Sequence, residues 1–179
     1  NTENTAHYIT DYQGELLDAI VDNMASLDNL SKQQILQERR LLAESGVISY
    51  ASLLPVIEKL TQESSYLVVS AVSSILQGLS LFVDEGTEVE AAYKKLLVTF
   101  NQFNFERLGF EPKAGEADED EMVRQLVISN MIKGDDAKAS AKASEIYVAH
   151  AEDISKLPAA IRLQILINQI KHHESKELT

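Results

Sequence analysis

Apolar residues along the chain recur three and four positions apart, the spacing of amphipathic helices, and short polar stretches separate the runs. After Gly14, Leu16, Leu17, Ile20, Val21 and Met24 fall on one helix face. Ser31 with Gln34 reads as a capping box. It starts a helix through Ile35, Leu36, Leu41 and Leu42, which Gly46 ends. Ser49 is placed as the cap of the next helix, through Leu53, Leu54, Ile57 and Leu60, which Pro55 should kink or delay. An uncharged helix follows Glu63, carrying Tyr66, Leu67, Val69, Val72, Ile75, Leu76, Leu79 and Phe82 until Gly86 breaks the pattern. Thr87 with Glu90 is the clearest start signal in the chain, ahead of a helix with Val89, Tyr93, Leu96, Leu97 and Phe100. Met122 to Lys133 is predicted helical and stopped by Gly134. Asp135 and Asp136 then head an Ala-rich helix to about Ala151, and Pro158 opens a last one to about His173. The exception is Ala6 to Tyr12, predicted as a short strand from the β propensity around Tyr8 and Tyr12.

Two of these helices match. Val123 to Ile132 aligns with Ile161 to Ile170, with Arg124 on Arg162 and Asn130 on Asn168, at an offset of 38 residues. A helix pair repeated at about 40 residues is the signature of HEAT- or armadillo-like arrays. The predicted fold is therefore all-α: a stack of antiparallel helix pairs forming a right-handed superhelical solenoid. Arg40, followed by Leu41 and Leu42, is a fainter echo. The recurrent arginine is expected to tie its helix to a neighbouring turn or helix end rather than to hold a ligand. The last apolar helix has no evident partner after it, so a stack that continues is expected. A strongly apolar exposed face on Ile161 to Ile170 would be its sign.

Charge narrows the partners. Against 28 Asp+Glu stand 16 Lys+Arg, a net charge of −12. The chain lacks the basic surface that nucleic acid or an anionic membrane requires. Between positions 110 and 121 lie Glu111, Glu116, Asp118, Glu119, Asp120 and Glu121 with only Lys113, so close to half the net charge falls in one stretch. It reads as a solvated acidic loop whose last acids favour the positive end of the next helix. The spacing of a calcium loop is not met. Ser64 to Val83 has no charge over twenty residues. Its serines, Gln77 and Gly78 make a buried helix a better reading than a membrane span. The N-terminus has no cationic and apolar leader pattern.

Candidate chemistry is sparse. No cysteine is present, so there is no disulfide, thiolate nucleophile or Cys-ligated zinc. None of His7, His150, His172 and His173 sits in H-E-x-x-H or E-x-x-H. His172, His173 and Glu174 near a helix end are read as complementing the helix dipole. Seven scattered glycines form no phosphate loop, and no G-x-S-x-G occurs. Tyr66, Tyr93 and Tyr147 are read as core residues with satisfied hydroxyls. No catalytic, cofactor-binding or metal-binding residue is assigned.

A resemblance carries more. Asn4 to Tyr12, Leu30 to Gly46 and Glu63 to Tyr66 are its first matching stretches. Arg107-Leu108-Gly109-Phe110-Glu111 with Gly115-Glu116, then Glu121 to Arg124, then Leu157 to Arg162 complete them. In order and spacing they resemble the C-terminal helical region of the zinc-dependent aminopeptidase N family, most like its lactic acid bacterial members. The first stretch departs from the family, which usually has Arg and Asn around the tyrosines. The resemblance implies that positions 1–12 are a junction from a preceding β-domain and that 13–179 are a helical-repeat domain continuing beyond Thr179. The start at Asn1 rather than Met fits a piece of a longer chain.

The resemblance further implies a cytoplasmic metallopeptidase whose zinc and catalytic motifs lie upstream. This portion would then be inactive alone and would need no cofactor of its own. Its implied partners are the catalytic domain of the same chain and, through it, peptide substrates. Its implied role is to cover the active site, gate access and shape the peptide chamber. Arg39, Arg40, Arg124 and Arg162 are the first cations to check for chamber exposure. The rival expectation is a free-standing helical-repeat scaffold that binds a partner protein or peptide; an enzyme with a carboxylate-only site is the third.

Overall fold

A computed structural model describes residues 8–172. Among them the chain is all-α: eight α-helices and short 3₁₀ turns, with no strand. It divides into two compact units, Asn1–Glu90 and Ala91–Thr179.

The first unit holds α1 (Gly14–Asp22), α2 (Asn29–Glu44), α3 (Leu54–Glu58) and α4 (Tyr66–Leu79). Its centre is α2 packed on α4. From α4, Val68, Val69, Val72, Ile75 and Leu76 are buried, each contributing roughly 1.5–3 kcal/mol by leaving water. Gly78 is required by this packing, because a Cβ there would fall 2.4 Å from the Tyr50 hydroxyl. The Tyr50 ring fills that place and packs on Phe82 at 5.5 Å. At its end α2 stops as expected. Gly46 adopts φ +75° and donates to Ala43 O, while the Val47 N–H reaches Leu42 O. That pair of bonds is the Schellman closure. Ser49 accepts from the Ala51 N–H, and Pro55 lies in the first turn of α3, where its missing N–H costs nothing.

Four expectations need correction in this unit. The cap of α2 is Asp28 rather than Ser31. Its carboxylate accepts both the backbone N–H (2.9 Å) and the hydroxyl (2.7 Å) of Ser31, which places Ser31 inside the first turn. The α1 face is not core: none of its residues is buried, Leu16 is exposed, and only Met24 beyond its end is fully enclosed. The predicted strand is absent over residues 8–12, where no neighbouring strand offers a ladder; Ala6 and His7 lie outside the described residues. Of the α2 apolar positions, Ile35 and Leu36 are buried but Leu41 is exposed. Lys32, Glu38 and Arg39 share the buried face instead.

The second unit holds α5 (Glu88–Leu108), which begins just before the division, α6 (Asp120–Lys133), α7 (Ala137–Ala149) and α8 (Arg162–His172). The Thr87–Glu90 capping box forms. The Glu90 N–H donates to Thr87 Oγ1 (3.2 Å), and the Glu90 carboxylate takes the Gly86 N–H (2.7 Å). Leu97, Phe100 and Leu108 of α5 are buried, whereas Val89 is exposed. Helices α5 and α6 run antiparallel. Arg107 near the end of α5 meets Asp120 at the start of α6, and Lys94 near the start of α5 meets the turn after α6. Helices α7 and α8 pack closely, and α8 also lies against α6.

Gly134 stops α6 for a reason the sequence hides. Its own φ is −76°, and the left-handed residue is Asp135 at φ 57°. Asp135 and Asp136 donate to Ile132 O and Met131 O, closing the Schellman motif around a non-glycine. Glycine is needed at 134 because a Cβ would meet Val98 Cγ2 at 2.8 Å and the Lys94 carbonyl at 2.9 Å. Asp136 then caps α7, accepting from the Ala139 N–H (2.9 Å). The last helix begins at Arg162, four residues after Pro158; the intervening residues form a turn in which Ile161 donates to Pro158 O. Among the described residues no helix is long and apolar enough to cross a membrane.

Candidate functional site

The repeated arginines are the first side chains to place. Arg124, early in α6, is 3% exposed, and its Nη2 forms an ion pair with Glu116 in the preceding loop. Arg162, the first residue of α8, donates from Nη2 to Ser155 O (2.7 Å) and Leu157 O (2.9 Å) in its own preceding turn. Both helices thus tie back to the segment that delivers them. In α2 the buried arginine is Arg39 rather than Arg40, and it reaches past α1 instead of to the loop that delivers α2. Arg39 is 3% exposed and donates to Tyr12 O at 3.3 Å. Burial pushes the Arg39 guanidinium below its ordinary pKa, with nearby Asp11 opposing the shift. Arg40 pairs with Glu44 one turn on, at 2.5 Å on the surface. Arg39, Arg124 and Arg162 also each hold a buried Nε without a partner among the described residues. Their Nη ends do the binding while the stems pack.

The asparagines of the repeat act in parallel. Asn130 of α6 donates to Asn101 Oδ1 of α5 at 3.3 Å. Asn168 of α8 donates to Ser140 O (3.1 Å) and Ser144 Oγ (3.0 Å) of α7. Each matched pair of residues therefore serves the same two contacts, one to the preceding loop and one to the preceding helix.

Two acids of the loop between α5 and α6 are not solvated as expected. Glu116 is engaged by Arg124, whose hydrogen bond holds its carboxyl below the usual range. Asp120 is buried; it accepts from Arg107 (2.7 Å) and from the Ala117 N–H (3.0 Å). Arg107 also donates from Nε and Nη2 to Asn104 Oδ1. At the far end of α6, Asp135 accepts from Lys94 (2.9 Å) and Lys171. Burial pushes the Asp135 carboxyl up, but the hydrogen bonds from Lys171 and Lys94 outweigh it and leave it lowered. Lys171 further donates to Ile132 O (3.2 Å) and Lys133 O (3.3 Å), carbonyls in the last turn of α6.

Of the histidines, His150 Nδ1 lies 2.9 Å from Ile146 O, and His172 is exposed at the end of α8. His7, His173 and Glu174 lie outside the described residues. Among the described residues no group of three or more His, Cys, Asp or Glu is placed to hold a metal. Tyr66, Tyr93 and Tyr147 are half-buried.

One cavity stands out, of about 590 Å³, between the end of α5, the chain just after it and the first turns of α7. Gly109, at φ +60°, turns the chain so that Phe110 returns onto Phe105 edge to face at 6.0 Å. Phe105, Leu108, Phe110 and Pro112 supply apolar wall, and Lys113, Lys138 and Lys142 stand in the lining. Sequence reading missed this grouping. Lys138 and Lys142, one turn apart on α7, share a face, but the aromatic wall opposite them comes from a helix and loop some thirty residues earlier.

Comparison with known proteins is consistent along the whole chain. The family described as "ERAP1-like C-terminal domain" matches residues 1–179. Aminopeptidase N of Lactococcus lactis subsp. lactis is 54% identical over 179 residues, covering 99% of this chain and 21% of that protein. Aminopeptidase N of Lactobacillus delbrueckii subsp. lactis is 37% identical over 179 residues, again 21% of its length. Aminopeptidase M1-B of Oryza sativa subsp. japonica is 30% identical over 138 residues, 74% of this chain and 16% of that protein. The chain thus spans about a fifth of the length of the bacterial relatives it matches.

Proposed function

The chain belongs to the ERAP1-like C-terminal domain family, and we infer from this that it works as the non-catalytic helical cover of a zinc aminopeptidase that removes N-terminal residues from peptides. It is the C-terminal domain of an aminopeptidase N-like enzyme. In that place it would cover the active site, gate access and shape the peptide chamber, stacked with further helix pairs as a right-handed solenoid. The match to aminopeptidase N along nearly the whole chain carries this reading. A lid of this kind would exclude water and folded proteins while admitting short peptides.

Among the described residues His, Asp and Glu do not converge as a zinc site needs. On this reading zinc and the catalytic groups belong to the rest of a cytoplasmic parent enzyme. The arginine ties support a shaping role, since they hold the helix-delivering loops in place and leave those cations little freedom to seize substrate.

The test compares the parent enzyme with and without this region on a short peptide and on a folded protein with the same N-terminal residue. With the region present, the short peptide should be cleaved and the folded protein spared. Without it, that discrimination should fall or activity should be lost. Unchanged selectivity and rate would sink the gating reading. Zinc-dependent release of N-terminal residues by the 179-residue chain alone would overturn its non-catalytic assignment.

A further inference from the structure

The cavity between α5 and α7 has no part in the ties described above. Its apolar wall is ordered by packing: Leu108 and Phe110 are buried, and Phe110 rests on Phe105. An open cleft of about 590 Å³ lies within the range of small-ligand sites, which combine apolar walls with a few placed polar groups.

The polar groups at its mouth are unevenly spent. Glu106 takes the Gln102 amide at 2.5 Å, and Glu111 stands in the field of Lys142. Lys113 donates to Arg107 O at 2.5 Å. Lys142 pairs with Glu145 at 2.8 Å, but that carboxylate is largely in solvent, and such pairs are weak and exchange readily. Lys138 has no hydrogen bond or ion pair among the described residues. It also sits in the first turn of α7, where the helix dipole disfavours a cation. In a chain of net charge −12, the exposed Lys138 thus stands at the rim of an aromatic wall with no side-chain partner among the described residues. An anion with an apolar body would satisfy both features at once.

We propose that this cavity binds a small amphipathic monocarboxylate, its alkyl or aryl part against Phe105 and Phe110 and its carboxylate on Lys138 and Lys142. A charge-assisted bond to each ammonium fixes the acid end, and the wall accepts apolar bodies of varied shape.

The test uses the protein as its gene encodes it, titrated by calorimetry with octanoate and 4-phenylbutyrate and with the matching neutral alcohols. At least one acid should bind saturably, about tenfold or more tighter than its alcohol, the size expected for losing charge-assisted bonds. Whether octanoate or 4-phenylbutyrate binds tighter separates an alkyl from an aryl ligand. The double variant Lys138→Met and Lys142→Met keeps the aliphatic stems, so it should fold. It should bring acid affinity down to that of the alcohol and leave the alcohol unchanged. Lys95→Met, an exposed change outside the cavity, should alter neither. Phe105→Leu should weaken acid and alcohol together. Equal affinity for acid and alcohol, undiminished acid binding in the double variant, or no saturable binding of either acid would each overturn the proposal.

Discussion

Helices α6 and α8 carry Ile132 and Ile170 at matched positions; the first is 1% exposed and the second 65%. On one face the two helices agree: Val123 and Val127 of α6 are buried, and so are their matches, Ile161 just before α8 and Ile165 within it. The other face differs: Ile128 and Met131 of α6 are fully enclosed, whereas Leu163, Ile167 and Ile170 make an exposed apolar stripe on α8. Yet the arginine and asparagine of the two helices reach the same two places, the preceding loop and the preceding helix, through different bonds. The polar ties are therefore set within each helix pair, while burial is set by what lies alongside. For α6 that neighbour is α8. Helix α8 packs on α7 and α6, and no described element covers its exposed stripe.

Matched substitutions probe the difference most strongly. Ile132→Ala should cost about 2–5 kcal/mol in urea unfolding, as expected for a filled site left as a cavity. Ile170→Ala should fall within about 0.5 kcal/mol of no effect in this chain. If Ile170→Ala proves as costly as Ile132→Ala in a longer protein, a further element covers α8 there. If it is that costly in the 179-residue chain itself, the contrast drawn here is wrong.

Gly134→Ala comes next. Its added methyl meets backbone as well as Val98, so the loss should be about 1–3 kcal/mol, the range for an overfilled contact. At the matched place α8 has exposed His172, where His172→Ala should change the unfolding midpoint little.

The smallest effect concerns the link between the two helices. Asp135 and Glu116 have carboxyls lowered in the folded state. Their contribution to stability should be complete above the ordinary carboxylate pKa, near 4, and should fade as pH falls below it. Unfolding curves from pH 6 to pH 3 should show this decline, and Asp135→Asn should make it shallower. A variant as acid-sensitive as the parent would remove Asp135 from the account.

Much of the helix pattern was readable because its signals are local. Thr87 with Glu90, Ser49, Pro55 and Gly46 act within a turn of themselves, and each does what its chemistry predicts. The α6–α8 match was readable because the same contacts recur at one offset. What escaped depends on competition or distance. Ser31 reads as a cap, and only the folded chain shows that the Asp28 carboxylate takes the Ser31 N–H and hydroxyl and starts the helix earlier. Lys32 is buried because Glu63, distant in sequence, reaches it at 2.6 Å. The left-handed Asp135 looked unnecessary beside Gly134 until the close approach of Lys94 and Val98 claimed the glycine. The lysine-lined cavity, joining α5 to α7, had no local signature.

The arginine ties carry one more consequence, for the order of events when the chain folds. Arg124 and Glu116 are eight residues apart, and Arg162 reaches back seven residues to Ser155 and five to Leu157. Closing loops this short costs little chain entropy, and contacts near in sequence form fast. Each corner can therefore set before its helix finds a distant partner, so that α6 and α8 arrive already aimed at the helices they pack on.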